Sequence, residues 1–254
     1  MDLNLRGKSA LITGASKGIG AATAEVLAEE GCEVHLAARG APALDDLARH
    51  LRAAYGVGAH AHPVDLRRPA DLARLASAVP DIDVLVNNAG DIPGGPLDAV
   101  GAAAWRHGWE LKVLGYVDLT RLVYARMKAR GHGVIVNNIG VAGERVDPAY
   151  IAGSAGNAAL MAFTRALGGA SLADGVRVVG VNPGPVATER LLAHAGPGAG
   201  EEGARADPLA ALPLGRAASP REVADLIAFL ASDRSAYTSG AVFTVDGGMS
   251  AARG

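Results

Sequence analysis

The glycine-rich stretch TGASKGIG, residues 13–20, combines residue types that favour binding of a phosphate group. Gly14 permits a tight turn, Gly18 lets the backbone approach a phosphate closely, and Gly20 permits close packing of a helix. Free backbone N–H groups and the dipole at the start of a helix attract a pyrophosphate. The turn therefore predicts a dinucleotide site. The residues of the turn that we expect to contact the dinucleotide are Gly14, Ser16, Lys17, Gly18, Ile19 and Gly20.

Three further motifs lie where predicted strands end. VDL at 64–66 ends the third strand, NNAG at 87–90 follows the fourth, and NPGPVAT at 182–188 follows the sixth. Ligands of open α/β sheets bind outside the carboxyl ends of the strands. Together with the glycine-rich turn, these motifs predict one ligand site at one edge of a sheet.

The elements that position these motifs alternate along the chain. Short β-branched or apolar runs alternate with helical stretches rich in Ala, Leu and Arg, which is typical of βαβ units with right-handed crossovers. We predict an α/β fold: a doubly wound, parallel, seven-stranded sheet (Rossmann fold) with helices on both faces. The predicted strands are Lys8–Thr13, Glu33–Ala38, Ala59–Val64, Val84–Asn87, Val134–Asn138, Arg177–Val181 and Val242–Val245. The predicted helices cover 19–30, 42–54, 69–78, 103–129, 151–171 and 220–231.

Composition and charge exclude several classes of partner. The 254 residues, half of them apolar, suffice for a single domain, 1–254. The net charge of −2 provides no basic field for nucleic acid or an anionic membrane, so we expect a small-molecule substrate. No apolar run is long enough to span a membrane and no signal peptide is evident, which favours a cytoplasmic location. The single cysteine, Cys32, excludes an internal disulfide and multi-cysteine metal sites, and we predict no metal.

One segment departs from the alternating pattern. In residues 190–215, glycine, alanine and proline surround a few charges, and no single period persists. Strand-forming sequence resumes afterwards, so we predict a mobile substrate lid rather than a linker.

The chain resembles the short-chain dehydrogenase/reductase family from about Asn4 to Met249. The resemblance rests on TGxxxGxG, NNAG, the Pro-Gly turn after the sixth strand and the ending SGAVFTVDGGM. It implies a Rossmann fold that binds a nicotinamide dinucleotide, and a homotetramer or homodimer formed through the fourth and fifth helices and the last strand. It also implies cofactor contacts beyond the glycine-rich turn: Asp65 near the adenine, Asn88, Ala89 and Gly90 along the adenine ribose, and Pro183, Gly184 and Thr188 facing the nicotinamide. Leu66 and Asn157 complete the implied cofactor residues.

The charge at the end of the second strand indicates which dinucleotide is bound. An acidic residue there bonds the ribose 2′-hydroxyl and repels a 2′-phosphate, but this strand ends Ala37–Ala38–Arg39. The planar guanidinium of Arg39 suits a phosphate, and Lys17 adds a second positive charge. We therefore predict that NADP(H) is favoured over NAD(H). If the Arg39 side chain instead stacks on the adenine, we expect a mixed preference between NADP(H) and NAD(H).

The catalytic positions depart from the family pattern. The family uses an asparagine, a serine, a tyrosine and a lysine, which together protonate the substrate oxygen and hold the nicotinamide ribose. Alignment by local motifs places Gly140 at the serine position, Gly153 at the tyrosine position and Asn157 at the lysine position. Lys112 stands at the asparagine position. By the resemblance, all four standard groups are replaced.

Two other residues are candidates for catalysis. Tyr150 lies three residues before the tyrosine position, where its hydroxyl can reach the same pocket from a shifted backbone. Lys112 is one of only four lysines beside twenty arginines, and an ammonium there can stabilise an oxyanion or hold an anionic substrate. Tyr150 is alternatively a wall of the substrate pocket or a ring on the surface, and Lys112 alternatively extends to solvent or into a subunit interface. A literal Tyr-x-x-x-Lys match, Tyr124 to Lys128, falls at the end of a helix, far from the predicted site.

Three functions stay open on the sequence alone. The first is an NADP(H)-dependent oxidoreductase for a small carbonyl or alcohol, with a non-standard active site. The second is a lyase or isomerase on the same scaffold that uses Lys112 with pocket carboxylates such as Asp91 and Glu144. The third is a catalytically inactive protein that keeps the dinucleotide pocket.

Overall fold

All seven predicted strands form a single parallel sheet in the computed structural model, which describes residues 1–189, 191 and 212–251. The strand order is β3-β2-β1-β4-β5-β6-β7, and every neighbouring pair is parallel. This order reverses direction at β1, as in a doubly wound fold, so the predicted fold class is confirmed. The strands are β1 Ser9–Thr13, β2 Glu33–Ala38, β3 Ala59–Pro63, β4 Val84–Asn87, β5 Gly133–Asn138, β6 Val176–Pro183 and β7 Val242–Val245.

Helices cover both faces of the sheet. The helices of the described residues are α1 Gly18–Glu29, α2 Ala41–Tyr55, α3 Pro69–Ala78, α4 Ala102–Trp109, α5 Gly115–Arg130, α6 Ile151–Ala170 and α7 Pro220–Ala231. None of them is long and apolar enough to cross a membrane. The predicted lid at 190–215 lies almost entirely outside the described residues and stays a prediction.

Two hydrophobic clusters follow directly from the alternation of side chains along β1. Ile12 packs in a cluster that includes residues of α1, α2 and α7, whereas its neighbour Leu11 packs in a cluster that includes residues of α3 and α5. Successive side chains of a strand point to opposite faces, so one apolar strand serves both layers. The sheet is therefore buried on both sides, and its strand ends are fixed at one rim.

The prediction of one uninterrupted α-helix over 103–129 is wrong. A π-helical turn, Glu110–Leu114, separates α4 from α5. A π turn preserves the helical path, so the apolar period in the sequence does not reveal it. Such turns are frequent at functional sites, and this one contains Lys112.

A neighbouring pair of glycines in α6 tests how tightly this helix packs. A methyl group at Gly168 would lie 2.3 Å from the backbone nitrogen of Gly240, whereas one at Gly169 meets nothing within 4 Å. We expect Gly168→Ala to lower the free energy of unfolding by about 1–3 kcal/mol through overpacking. Gly169→Ala, the matched control, should leave it unchanged or raise it by about 0.5–1 kcal/mol, because alanine suits a helix interior. Urea denaturation measures both, and equal effects would contradict the packing described.

Candidate active site

The glycine-rich turn packs directly against the turn after β4. Gly14 has a φ of +65°, and a Cβ atom on it would lie 2.8 Å from the Cα atom of Ala89. A Cβ atom on Gly20 would lie 2.3 Å from the carbonyl oxygen of Gly14. Gly18, with a φ of +58°, has only the side chain of Thr188 near its missing Cβ, at 3.1 Å. These positions have the geometry that a dinucleotide turn requires, because glycine alone fits them without displacing backbone.

Buried amides and a hydroxyl tie the ends of β1, β4 and β5 together. Asn88 donates through Nδ2 to the carbonyl of Thr13 at 2.9 Å, and its Oδ1 accepts from Asn138 Nδ2 at 2.7 Å. The hydroxyl of Thr13 accepts from the backbone N–H groups of Asn88 and Ala89. The side chain of Asn88, predicted to line the ribose, is thus occupied within the protein. It positions the two turns on which Gly14 and Gly90 lie.

The carboxylate of Asp65, the residue predicted near the adenine, is bound by an arginine two residues further along the chain. Arg67 donates from Nε to Asp65 Oδ1 at 2.8 Å and from a terminal nitrogen to Oδ2. These bonds lower the pKa of Asp65 to about 2, so the carboxylate is ionised at neutral pH. Each oxygen retains acceptor capacity beyond one hydrogen bond. Leu66, the next residue, is buried.

The two basic residues predicted near a 2′-phosphate differ in their surroundings. Arg39 is exposed after β2 and forms no salt bridge within the described residues. Lys17 is also exposed, but its Nζ lies 3.0 Å from Glu189 Oε2, across from the turn after β6. An exposed ion pair of this kind contributes at most about 1 kcal/mol, so Lys17 can exchange this partner for a phosphate.

The turn after β6 lies beside the glycine-rich turn. Pro183 is the last residue of β6, and Gly184 donates its N–H to the carbonyl of Val245 at 2.9 Å. A Cβ atom on Gly184 would lie 2.8 Å from Asp246 Cβ. Since Thr188 contacts Gly18, the structure brings the first and sixth strand ends to one place, as the sequence predicts.

Gly140 and Asn157 contact each other. Gly140 has a φ of +125°, where a side chain is strained, and a Cβ atom on it would lie 3.0 Å from Asn157 Nδ2. The same amide nitrogen donates to the Gly140 carbonyl at 3.2 Å, while Asn157 Oδ1 is buried without a partner in the described residues. Asn157 therefore covers Gly140, the residue predicted at the serine position, and a serine there would be strained at this φ and would crowd the Asn157 amide.

Lys112 points into the site, not to solvent. Its side chain is 9% exposed, and its ammonium donates to the carbonyl of Ile139, next to Gly140. A Cβ atom on Gly90 would lie 3.0 Å from Lys112 Cδ. The π turn thus places a cation between the turn after β4 and the end of β5. The alternative that Lys112 extends to solvent is wrong.

Tyr150 lies over Gly153. A Cβ atom on Gly153 would lie 2.0 Å from both Cε1 and Cζ of the Tyr150 ring. The half-buried ring packs beside Ile92, Ala152 and the two tryptophans of α4. The phenol ring therefore occupies the space that a side chain at 153 would enter, and the ring would have to move for any larger residue at that position.

The literal Tyr-x-x-x-Lys match lies elsewhere. Tyr124 donates its hydroxyl to Asp174 Oδ2 at 2.5 Å, and Lys128 lies 2.9 Å from Asp174 Oδ1. Burial and Asp174 raise the pKa of Tyr124 to about 12, the opposite of what a proton donor needs. Asp174 precedes β6, so Tyr124 and Lys128 lie at the amino ends of the strands. This position agrees with the prediction that the pair is far from the active site.

Three features of the site have no signal in the sequence. They are the Ile139 carbonyl that receives the Lys112 ammonium, the pairing of Lys17 with Glu189, and the contact of Tyr150 with Gly153. The first two depend on the meeting of segments distant in the chain, and the third depends on the side-chain conformation of Tyr150 at the start of α6. Asp91 and Glu144, the other candidate carboxylates, are both exposed, and Glu144 accepts from Thr244 at 3.0 Å.

Comparisons with known proteins agree with this geometry. Residues 14–250 match the family model described as enoyl-(acyl carrier protein) reductase. The cis-4-hydroxycyclohexanecarboxylate dehydrogenase of Sinomonas cyclohexanicum is 40% identical over 252 residues, covering 95% of this chain and 96% of its own. L-sorbose reductase from Gluconobacter frateurii, solved with NADPH and L-sorbose, superposes with a TM-score of 0.92, 33% identity and 98% coverage of both chains. A 7α-hydroxysteroid dehydrogenase solved with NADH superposes with a TM-score of 0.89 and 30% identity, covering 97% of this chain and 96% of its own.

Fold and site define the class as a Rossmann-fold protein with a dinucleotide-type glycine turn. The match of the family model over most of the chain, together with the 40% identical relative, is more specific. The chain belongs to the short-chain dehydrogenase/reductase family.

Proposed function

We propose that the protein is an NADP(H)-dependent oxidoreductase for a small carbonyl or alcohol substrate, in which Lys112 and Tyr150 do the work of the standard catalytic residues. The observation that carries the proposal is the position of Lys112. Its buried ammonium lies at the carbonyl of Ile139, beside Gly140, where the family's serine would stand. The relatives, which are named as dehydrogenases and reductases of alcohols and ketones, support the reaction type.

The dinucleotide fits the residues present. Gly14 and Gly20 allow the first turn to pack closely, and Gly18 has only the Thr188 side chain near its missing Cβ. Arg39 offers an exposed guanidinium after the end of β2. Asn157 presents a buried amide beside Gly140 at the position of the family's ribose-binding lysine. Asp65 and Leu66 complete the proposed adenine side. Asn88 acts by positioning, through its bonds to Thr13.

The proposed chemistry divides between two side chains. When bound, the reduced dinucleotide supplies the hydride. As the substrate carbonyl is reduced, its oxygen gains negative charge and needs both stabilisation and a proton. In this proposal the buried ammonium of Lys112 stabilises that charge, and the hydroxyl of Tyr150 donates the proton. In alcohol oxidation the same two groups act in reverse.

The preference for NADP(H) is proposed from charge. The solved relatives include one with NADPH and one with NADH, so the charges of this chain must decide. We expect Arg39→Ala to weaken NADPH binding by about 10- to 100-fold, the loss of a charge-assisted bond to phosphate, while NADH binding stays the same. Isothermal titration calorimetry measures both affinities.

A matched arginine on α2 controls for a general loss of positive charge. Arg49 is exposed like Arg39, but it pairs with Asp46 at 2.9 Å. Arg49→Ala should bind both dinucleotides as the wild type does. Equal weakening of NADPH and NADH in Arg39→Ala would mean that the guanidinium stacks on adenine, and the proposed preference would be wrong.

A two-stage experiment tests the proposed function. The first stage is a thermal-shift titration with NADPH and NADH, in which we expect stabilisation, greater with NADPH. The second stage follows NADPH oxidation across a panel of aldehydes, ketones and quinones. Stabilisation with oxidation supports the oxidoreductase. Stabilisation without oxidation favours an inactive dinucleotide-binding protein or a non-redox enzyme that uses Lys112, and no stabilisation by either dinucleotide would exclude the proposal.

We also propose a cytoplasmic homo-oligomer formed through the helices that follow β4 and β5. Leu114 and Leu122 are large, exposed and eight residues apart, which places them on one face of the helical segment that contains α5. Unpartnered apolar side chains of this kind favour burial against a second copy. Light scattering should give the molecular mass of a dimer or a tetramer. In a double variant that carries Leu114→Glu and Leu122→Glu, the mass should shift towards that of a monomer.

A further inference from the structure

Three of the seven histidines gather at one edge of the sheet. In the parallel pairing of β2 with the edge strand β3, His35 lies opposite His60, and His62 lies two residues further along β3. Residues opposite in register, or two apart on a strand, share a face of the sheet. Glu33 shares that face too, as it stands two residues before His35. The strands therefore bring four groups with metal-ligating atoms together.

The atoms of three of these groups are close enough to share one ion. His60 Nε2 lies 2.7 Å and His35 Nε2 lies 3.8 Å from Glu33 Oε1, and one ligand atom from each of the three residues lies within 4.8 Å of the others. A tetrahedral Zn²⁺ with bonds of about 2.0–2.2 Å holds its ligand atoms about 3.3–3.6 Å apart. Because the side chains of Glu33 and His60 are about half exposed, small rotations bring all three atoms to this spacing.

His62 holds the inner histidine in a suitable orientation. His35 Nδ1 and His62 Nε2 are 3.0 Å apart, so one donates a hydrogen bond to the other. A ligating histidine ordinarily uses its second nitrogen in this way, which fixes the ring and its tautomer.

We propose that this cluster binds a divalent transition metal of the zinc class, with Glu33 Oε1, His35 Nε2 and His60 Nε2 as ligands and water as the fourth. Two imidazoles and one carboxylate suit zinc, copper or nickel, not magnesium or calcium, which prefer oxygen ligands. The ion joins the edge strand β3 to β2. The site does not depend on the proposed function, since Glu33 begins β2 at the end of the sheet opposite the glycine-rich turn. The single cysteine, from which we predicted no metal, carries no information about histidine ligands.

The test is a titration of zinc chloride into the full chain after treatment with EDTA, followed by calorimetry and thermal shift. We expect one Zn²⁺ per chain and a rise in Tm that EDTA reverses, with no comparable effect of magnesium chloride. Glu33→Gln and His60→Ala should each weaken Zn²⁺ binding at least tenfold, because each removes a ligand. His62→Ala should weaken it about 10- to 100-fold by releasing His35.

A fourth histidine provides the matched control. His132 is exposed and lies 3.2 Å from Asp83, but among the described residues it belongs to no group of three side chains that could share a metal ion. His132→Ala should bind Zn²⁺ as the wild type does. The proposal is wrong if the wild type binds no Zn²⁺, if Glu33→Gln and His60→Ala bind it unchanged, or if His132→Ala weakens it equally. Glu33→Gln alters only an exposed side chain, so a failure of the other variants to fold does not prevent the test.

Discussion

Replacement of Lys112 by methionine is expected to lower kcat for NADPH-dependent carbonyl reduction by about 10²–10³-fold, with dinucleotide binding retained. Methionine keeps most of the length of lysine and removes the charge. In the wild type the buried ammonium donates to the Ile139 carbonyl beside Gly140, where we propose that it stabilises the charge that forms on the substrate oxygen. The Ile139 carbonyl also loses its donor, at a cost of about 1–3 kcal/mol of stability. Activity is therefore compared at a temperature where circular dichroism shows both proteins folded.

The chain supplies matched controls for this experiment. Lys128→Met and Tyr124→Phe change the same residue types in the pair held by Asp174, at the other end of the sheet. Both should keep wild-type kcat. Tyr150→Phe should lower kcat by about 10²-fold or more through loss of the proton donor. Unchanged rates in Lys112→Met and Tyr150→Phe would assign catalysis to other groups.

Replacement of Gly20 by alanine is expected to abolish stabilisation by NADPH and to lower the free energy of unfolding by about 1–3 kcal/mol. The added methyl would lie 2.3 Å from the Gly14 carbonyl and 2.5 Å from Asn88 Nδ2. Both neighbours must move, and both hold the turn that we propose for the pyrophosphate. Thermal shift with and without NADPH measures the two effects together.

Gly169→Ala serves again as the control, since its methyl meets no atom within 4 Å. It should keep the full response to NADPH. If Gly20→Ala binds NADPH as tightly as this control does, the glycine-rich turn is not the site of the dinucleotide.

The fold was predictable because each strand carries its own signal. β-branched and apolar runs such as Val84–Asn87 and Val242–Val245 match the structure to the residue. The glycines of the first turn were also predictable from the sequence, because the turn needs residues without a Cβ: Gly14 packs against Ala89, Gly20 packs against the Gly14 carbonyl, and Gly18 has a positive φ. The π turn at Glu110–Leu114 could not be predicted from the sequence, since it leaves the apolar period intact.

The candidate site was predictable only in part. Family spacing placed Gly140, Gly153 and Asn157 in order along the chain, but spacing carries no information about what fills the space of a missing side chain. The structure shows that the Tyr150 ring lies over Gly153 and that Asn157 covers Gly140. The first contact depends on the conformation that the Tyr150 side chain adopts at the start of α6. The second depends on packing between separate segments, as does the histidine cluster of β2 and β3.

Transfer of deuterium tests the central proposal most directly. The protein is incubated with NADPH deuterated at C4 and with the aldehydes and ketones of the panel, and the alcohol products are analysed by mass spectrometry. We predict that one deuterium appears on the carbinol carbon of at least one product, and that Lys112→Met forms this product far more slowly. Binding of NADPH without deuterium in any product, at protein concentrations that allow many turnovers, would contradict an oxidoreductase function.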